Sequence, residues 1–211
     1  MGKRQALRAI IWDFGGVLMR TEDLEPRRAW EARLGLPEWG LADAVFNNPV
    51  SREASLGRAT AEDIWRWVGE RFQLSPEDLA RLRADFFRGD RLDEELLGLI
   101  RALRRRMPVG MITNAWPEML HWLEEEWKIA HLFDPLIISA EVGLAKPDPR
   151  IYRLALQQLR LQPGQVLFID DFIENIAAAQ DLGMQTHHFK EAARLILQLR
   201  PLLDPSHGPP D

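Results

Sequence analysis

Cysteine is missing from all 211 residues. That absence excludes disulfides, thiolate metal sites and cysteine nucleophiles. Histidine is scarce, and its five copies form no metal-binding pattern. His121 and His131 are far apart in sequence, while the adjacent His187 and His188 face opposite sides of any strand that carries them; all five read as structural or surface residues. No long apolar run exists either. The apolar stretch at residues 7–12 is too short for a signal peptide or a membrane span and stops at Asp13. Met1-Gly2 is followed by Ala6 where a myristoylation signal needs Ser or Thr. A cytoplasmic location without membrane contact is expected. A basic excess is lacking: the net charge is -5, which argues against nucleic acid as a partner. The Arg104-Arg105-Arg106 run reads as a solvated helix end. Neither a GxGxxG nor a Walker A pattern is present, so neither a dinucleotide nor a nucleoside triphosphate is implied.

What is there is a rhythm of short apolar runs and longer amphipathic stretches. Strands are predicted over residues 7–12, 109–112, 136–138 and 166–169, with a weaker one over 185–189. Helical patterns occupy 93–105, 116–127, 149–159 and 174–182. Buried strands alternating with helices predict an α/β fold with a doubly wound parallel sheet. Residues 21–89 break the rhythm. They contain no convincing strand and read as helices over 25–34, 41–46, 60–72 and 75–87. Thr60 with Asp63, and Ser75 with Asp78, have capping-box-like spacing. The expected organisation is a Rossmann-like core from residues 1–20 and 90–204, a helical cap insert over 21–89, and a flexible tail over 205–211. The tryptophans crowd the insert and the helix after the second strand, where packing explains them better than substrate stacking.

Ligands of a parallel sheet gather beyond the carboxyl ends of its strands. The first predicted strand ends at Asp13, followed by Gly15 and Gly16. The second ends at Thr113 and Asn114. Lys146 follows the third, and the fourth ends at Asp170 and Asp171, with Asn175 four positions on. The set suits attack on a phosphate ester. A divalent cation held by carboxylate oxygens offsets the repulsion between nucleophile and phosphate. Asp13 can attack phosphorus, the glycines can turn backbone N–H groups toward phosphate, Thr113 can donate a hydrogen bond, and Lys146 can balance charge. Each element alone is common. Thr113-Asn114 and Asp170-Asp171 would also serve as helix caps. The combination, in order at successive strand ends, is what carries weight.

The segments WDFGGVL, ITN, GLAKPDPRIY and FIDDFIEN resemble the four motifs of the haloacid dehalogenase-like (HAD) superfamily. The likeness extends over nearly the whole chain, the insert falling where the type-1 helical cap of that superfamily falls. Glucose-1-phosphate phosphatase-like and epoxide hydrolase N-terminal phosphatase-like members are the most similar in pattern. The resemblance implies hydrolysis of a small phosphate monoester, a sugar phosphate or similar, through an aspartyl-phosphate on Asp13. It implies Mg²⁺ bound by Asp13, the Gly15 carbonyl and Asp171, with Asp170 assisting. It implies phosphate contacts from Gly16, Thr113, Asn114 and Lys146, the last also catalytic, and a monomer or homodimer. One position departs from the pattern. Gly15 stands where most phosphatases of the superfamily carry a second Asp as general acid and base, and a glycine moves no proton. Glu22 and Asp23 follow the loop but read as ordinary polar residues at the start of the insert. A phospho-ligand binder without turnover and a 2-haloacid dehalogenase are the alternatives; the Asp170-Asp171 doublet favours a metal, and with it phosphate.

Overall fold

Four apolar residues in a row, Ala9–Trp12, form β1, and all four are buried. A strand buried on both faces has to be central, and β1 lies in the middle of a five-stranded parallel sheet. The other elements follow in chain order through residues 5–204, the residues described by this computed structural model. A short strand β2 (Met19–Thr21) leads into five helices: α1 (Glu25–Leu34), α2 (Gly40–Phe46), α3 (Pro49–Ala54), α4 (Ala61–Arg71) and α5 (Pro76–Arg88). Strand β3 (Asp90–Leu92) returns antiparallel to β2. Then come α6 (Glu94–Leu103), β4 (Val109–Thr113), α7 (Met119–His121) with a π-helical turn over Trp122–Glu126, β5 (Leu136–Ile138) and α8 (Ser139–Val142). The chain ends with α9 (Pro149–Leu159), β6 (Val166–Asp170), α10 (Ile173–Asp181), β7 (Gln185–His188) and α11 (Ala192–Leu199).

The sheet order is β5-β4-β1-β6-β7. The chain winds outward from β1 through β4 to β5, then crosses back to place β6 on the other side of β1. Reversal of winding between β1 and β6 opens a crevice at their carboxyl ends. Alternation along β1 divides the core. Ile10 and Trp12 join one apolar cluster with α6 and α11. Ala9 and Ile11 join another with α9 and α10. The doubly wound parallel fold is therefore as the sequence predicts.

A third apolar cluster lies within the five-helix bundle, where Trp30, Leu41, Val45, Ile64, Trp65, Val68, Leu82 and Phe86 pack together. Thr60 and Asp63 make a reciprocal capping box at the start of α4, and Ser75 caps α5. Strands β2 and β3 join bundle to sheet. Thr21 donates to Asp90 across them at 2.6 Å. The buried Arg27 bonds the Phe86 carbonyl at 2.7 Å, pairs with Asp90 at 2.8 Å, and lays its guanidinium over the Phe86 ring. These two strands were not expected, because three half-exposed residues leave no hydrophobic alternation to read. Helices α3 and α8 are also additions, each shorter than two turns. The expected helix over 116–127 starts at Met119 instead, after Pro117, and its second half widens into the π-helical turn. The expected tail over 205–211 lies outside the described residues.

Gly57, between α3 and α4, fixes the seating of bundle on sheet. Its φ is +74°, and an added Cβ would lie 2.3 Å from the Ala140 carbonyl oxygen of α8. A left-handed conformation pressed against backbone leaves a side chain no escape. Gly57→Ala is expected to cost about 1–3 kcal/mol, seen as a lower urea midpoint at unchanged slope. An unchanged midpoint would contradict this contact.

Candidate active site

Asp13 ends β1, and its N–H donates to the Ile169 carbonyl of β6 at 2.9 Å. Strand pairing thus brings Asp13 beside Asp170. Lys146 comes up from the loop after α8, and its ammonium lies 2.6 Å from Asp13 Oδ1 and 2.7 Å from Asp170 Oδ2. All three are buried. Thr113 closes β4 on the other side of β1 and is buried too.

The acidic doublet is not symmetric. Asp170 has both carboxylate oxygens engaged. Oδ1 accepts from the Phe172 N–H at 2.8 Å and from the Asn175 amide at 3.0 Å, while Oδ2 accepts from Lys146. Asp171 is the opposite: its buried Oδ1 has no hydrogen-bond partner among the described residues. One oxygen each from Asp13, Asp170 and Asp171 lie within 4.8 Å of one another. An orphaned carboxylate oxygen inside a hard-oxygen cluster suits a divalent cation such as Mg²⁺.

One expected phosphate contact is corrected by the geometry. The Gly16 N–H donates to the Met19 carbonyl at 2.9 Å, so it is spent within the loop. Gly16 serves proximity instead: its φ is +77°, and a Cβ there would come 2.1 Å from Asp171 Oδ2. The Asn114 side chain has a structural role as well. Its Oδ1 accepts from the Lys146 N–H and its Nδ2 donates to the Lys146 carbonyl, both at 2.8 Å. It fixes the lysine loop from 32 positions away.

Other supports were not legible. Ser139 Oγ accepts from the Ala115 N–H at 3.0 Å and holds the loop after β4. Glu118, in the same loop, accepts from the Ala61 N–H at 3.0 Å and so caps α4 of the bundle from the sheet side. The spacing of Asn175 from Asp170 had signalled its place; Ser139 and Glu118 gave no such signal. The histidines do diverge as adjacent strand residues must: His187 meets Gln198, and His188 meets the Asp171 carbonyl at 2.9 Å. Asp23 accepts from the Glu25 N–H at 3.0 Å at the start of α1.

Burial dominates the electrostatics. It pushes the Asp13 carboxyl up to about 7; Lys146 pulls it down, and Asp170 and Asp171 push it further up. Asp171 rises to about 6, again chiefly by burial and then by Asp170. For Lys146, burial pulls downward, but Asp13 and Asp170 outweigh it and hold the ammonium above its ordinary value. Three carboxyls facing one ammonium form a site that takes up either protons or a cation.

A family model described as haloacid dehalogenase-like hydrolase matches residues 7–183. The chain is 28% identical over 200 residues to sesquiterpene phosphatase astK of Aspergillus oryzae, covering 93% of this chain and 96% of that one. It is 26% identical over 194 residues to D-ribitol-5-phosphate phosphatase of Bacteroides thetaiotaomicron, with 85% and 90% covered. Among solved structures, a HAD family enzyme from Bacteroides thetaiotaomicron in complex with magnesium and inorganic phosphate superposes with a TM-score of 0.72. That match covers 90% of this chain and 99% of the other at 18% identity, a likeness of fold.

The raised carboxyls set a sign. Their folded-state values exceed the ordinary 3.8, so the stability they lend is full below that pH and is lost as pH rises through about 6 to 7. A cation replaces the missing protons. Mg²⁺ is therefore expected to raise the melting temperature more at pH 8 than at pH 5.5. Asp171→Asn should raise the metal-free melting temperature at pH 8 by about 2–4 °C and abolish the Mg²⁺-dependent gain. Scanning calorimetry at both pH values decides; equal gains at the two would contradict the site.

Proposed function

Because the chain belongs to the haloacid dehalogenase-like hydrolases, we propose that it is a phosphatase of small phosphate monoesters that works through a phosphorylated Asp13. The observation carrying this reading is the pairing of Asp13 with Lys146 beside a carboxylate whose inner oxygen has no partner. Relatives that are phosphatases of a sesquiterpene and of D-ribitol-5-phosphate support it. An Asp13 oxygen forms the bond to phosphorus, and the bond from phosphorus to the alcohol oxygen breaks. The departing oxygen takes a proton from a water molecule, Gly15 having none to give, and the proton is made good by the water that attacks next. Water then attacks phosphorus, releasing phosphate and restoring Asp13.

Mg²⁺, held by Asp13, Asp171 and the Gly15 carbonyl with Asp170 assisting, would supply the positive charge that lets a carboxylate meet a phosphate. Lys146 favours the ionised form of Asp13, orients it, and balances the charge that develops on phosphate. Thr113 donates its hydroxyl hydrogen to a phosphoryl oxygen. Residues 21–89 act as the cap, excluding water from the site. The unpartnered Asp171 oxygen favours this reading over a dehalogenase, whose aspartyl ester to carbon needs no metal.

Gly15 favours a second reading, in which phospho-ligands bind without turnover. It can be tested at the same position. A Cβ on Gly15 would meet no atom within 4 Å, and its φ is not left-handed. Gly15→Asp is therefore accommodated and is expected to raise phosphate release about tenfold or more by supplying an acid and base. Asp13→Asn is expected to lower release at least about 10³-fold with the fold retained. The measurement is phosphate release across sugar phosphates, nucleotides and alkyl phosphates, with Mg²⁺ and with chelator. Turnover that survives Asp13→Asn, or that ignores chelator, would refute the proposal; no release by either the parent chain or Gly15→Asp would leave the binding reading standing.

A further inference from the structure

Aromatic rings run in contact from beside the nucleophile to the surface of the bundle. Phe14, next to Asp13, lies 5.0 Å from Trp127; Trp127 lies 6.2 Å from Trp122, and Trp122 6.5 Å from Trp116. Trp116 in turn lies 5.7 Å from Phe46, the last residue of α2. Phe46 is 46% exposed, although its ring also rests on the buried Phe86 at 5.3 Å. A packing seam accounts for the inner rings. It does not account for an outer ring left facing solvent.

The place of that ring matters. Trp116 is three residues beyond Thr113, so their Cα atoms are at most about 11 Å apart. Phe46 therefore lies beside the loop that follows the phosphate-facing end of β4. At the end of β6, Phe172 and Ile173 directly follow Asp171 and are 60% and 55% exposed. Among the described residues, five large apolar side chains are exposed; two of them follow the acidic doublet, and a third, Phe46, packs on the loop that follows Thr113. A clustering of exposed apolar groups at a catalytic crevice marks a ligand surface.

Most of the neighbouring polar side chains are engaged within the protein. The Asn114 amide bonds the Lys146 backbone, Ser139 bonds Ala115, and Glu118 Oε1 takes the Ala61 N–H, while Glu118 Oε2 is buried without a hydrogen-bond partner among the described residues. Next to Phe46, the Asn48 amide bonds the Ala44 and Val45 carbonyls and Ser51, and the Asn47 amide bonds Asp43. Glu118 aside, these groups leave rings rather than free partners for a row of hydroxyls.

We propose that Phe46, backed by Trp116, together with Phe172 forms a subsite for the organic part of the ester, and that the substrates are phosphates of apolar alcohols rather than sugar phosphates. The proposal rests on the phosphatase reading for turnover, but the subsite can be measured without it. The probes are n-alkyl phosphates from ethyl to octyl, assayed for kcat/KM with Mg²⁺, and the matching n-alkyl phosphonates, which bind but are not hydrolysed, titrated by calorimetry. Each added methylene is expected to tighten phosphonate binding about two- to fourfold until the subsite is filled, with a polyol phosphate of equal length gaining nothing. Phe46→Ala and Phe172→Ala should each flatten the chain-length dependence, and Phe46→Leu should restore most of it. A flat series in the parent chain, or an undiminished slope in both alanine variants, would overturn the subsite. A steep phosphonate slope with no phosphate released from any ester would uphold the subsite and refute hydrolysis instead.

Discussion

The ammonium of Lys146, clamped between Asp13 and Asp170, is the interaction on which the rest of the site depends. Burying charge is costly unless partners compensate for the lost water. Here one cation serves two carboxylates, and Asp170 takes further hydrogen bonds from Asn175 and from its own helix start. Asp171 is left outside this arrangement. The site therefore holds more carboxylate than its own ammonium neutralises, a surplus that suits it to a divalent ion and, on the proposed reading, through that ion to a phosphate dianion. A self-sufficient ion pair would bind neither.

The fold delivers these groups from separate parts of the chain. Strand pairing sets Asp13 against Asp170, the reversal of winding at β1 and β6 opens the space above them, and the Asn114 amide grips the lysine loop from the neighbouring strand end. Gly16 contributes by what it omits, letting the loop after β1 pass Asp171 at a distance no side chain tolerates. The helical bundle is tied to the same framework through Arg27 and Asp90 below and through Gly57 and Glu118 at the seam.

Much of this was legible from the chain itself. Short apolar runs ending in Asp13, Thr113 and Asp170 reveal parallel strands because such strands are buried on both faces and their ends must turn polar. The capping box of α4 and the Ser75 cap of α5 are local and could be read directly. What sequence could not give were bonds between distant loops. Nothing at Asn114 announces that its amide is taken by residue 146, and nothing at Gly16 announces that its N–H is used by Met19. Both were expected to face phosphate because residue type suggests a capacity, while tertiary geometry decides its use. Strands β2 and β3 escaped notice because each has three residues, half in solvent, and owes its shape to the other.

Glu118 has a consequence for motion. The loop that carries it begins after Thr113 at the end of β4, yet its carboxylate closes the open end of α4 in the bundle. Swinging the bundle aside would strand that helix amide and part Trp116 from Phe46 at one stroke, a loss on the order of 1–3 kcal/mol for the charged hydrogen bond alone. The bundle and the sheet thus share a latch one short loop away from the end of β4. Any shift of that loop would be felt directly at the first turn of α4.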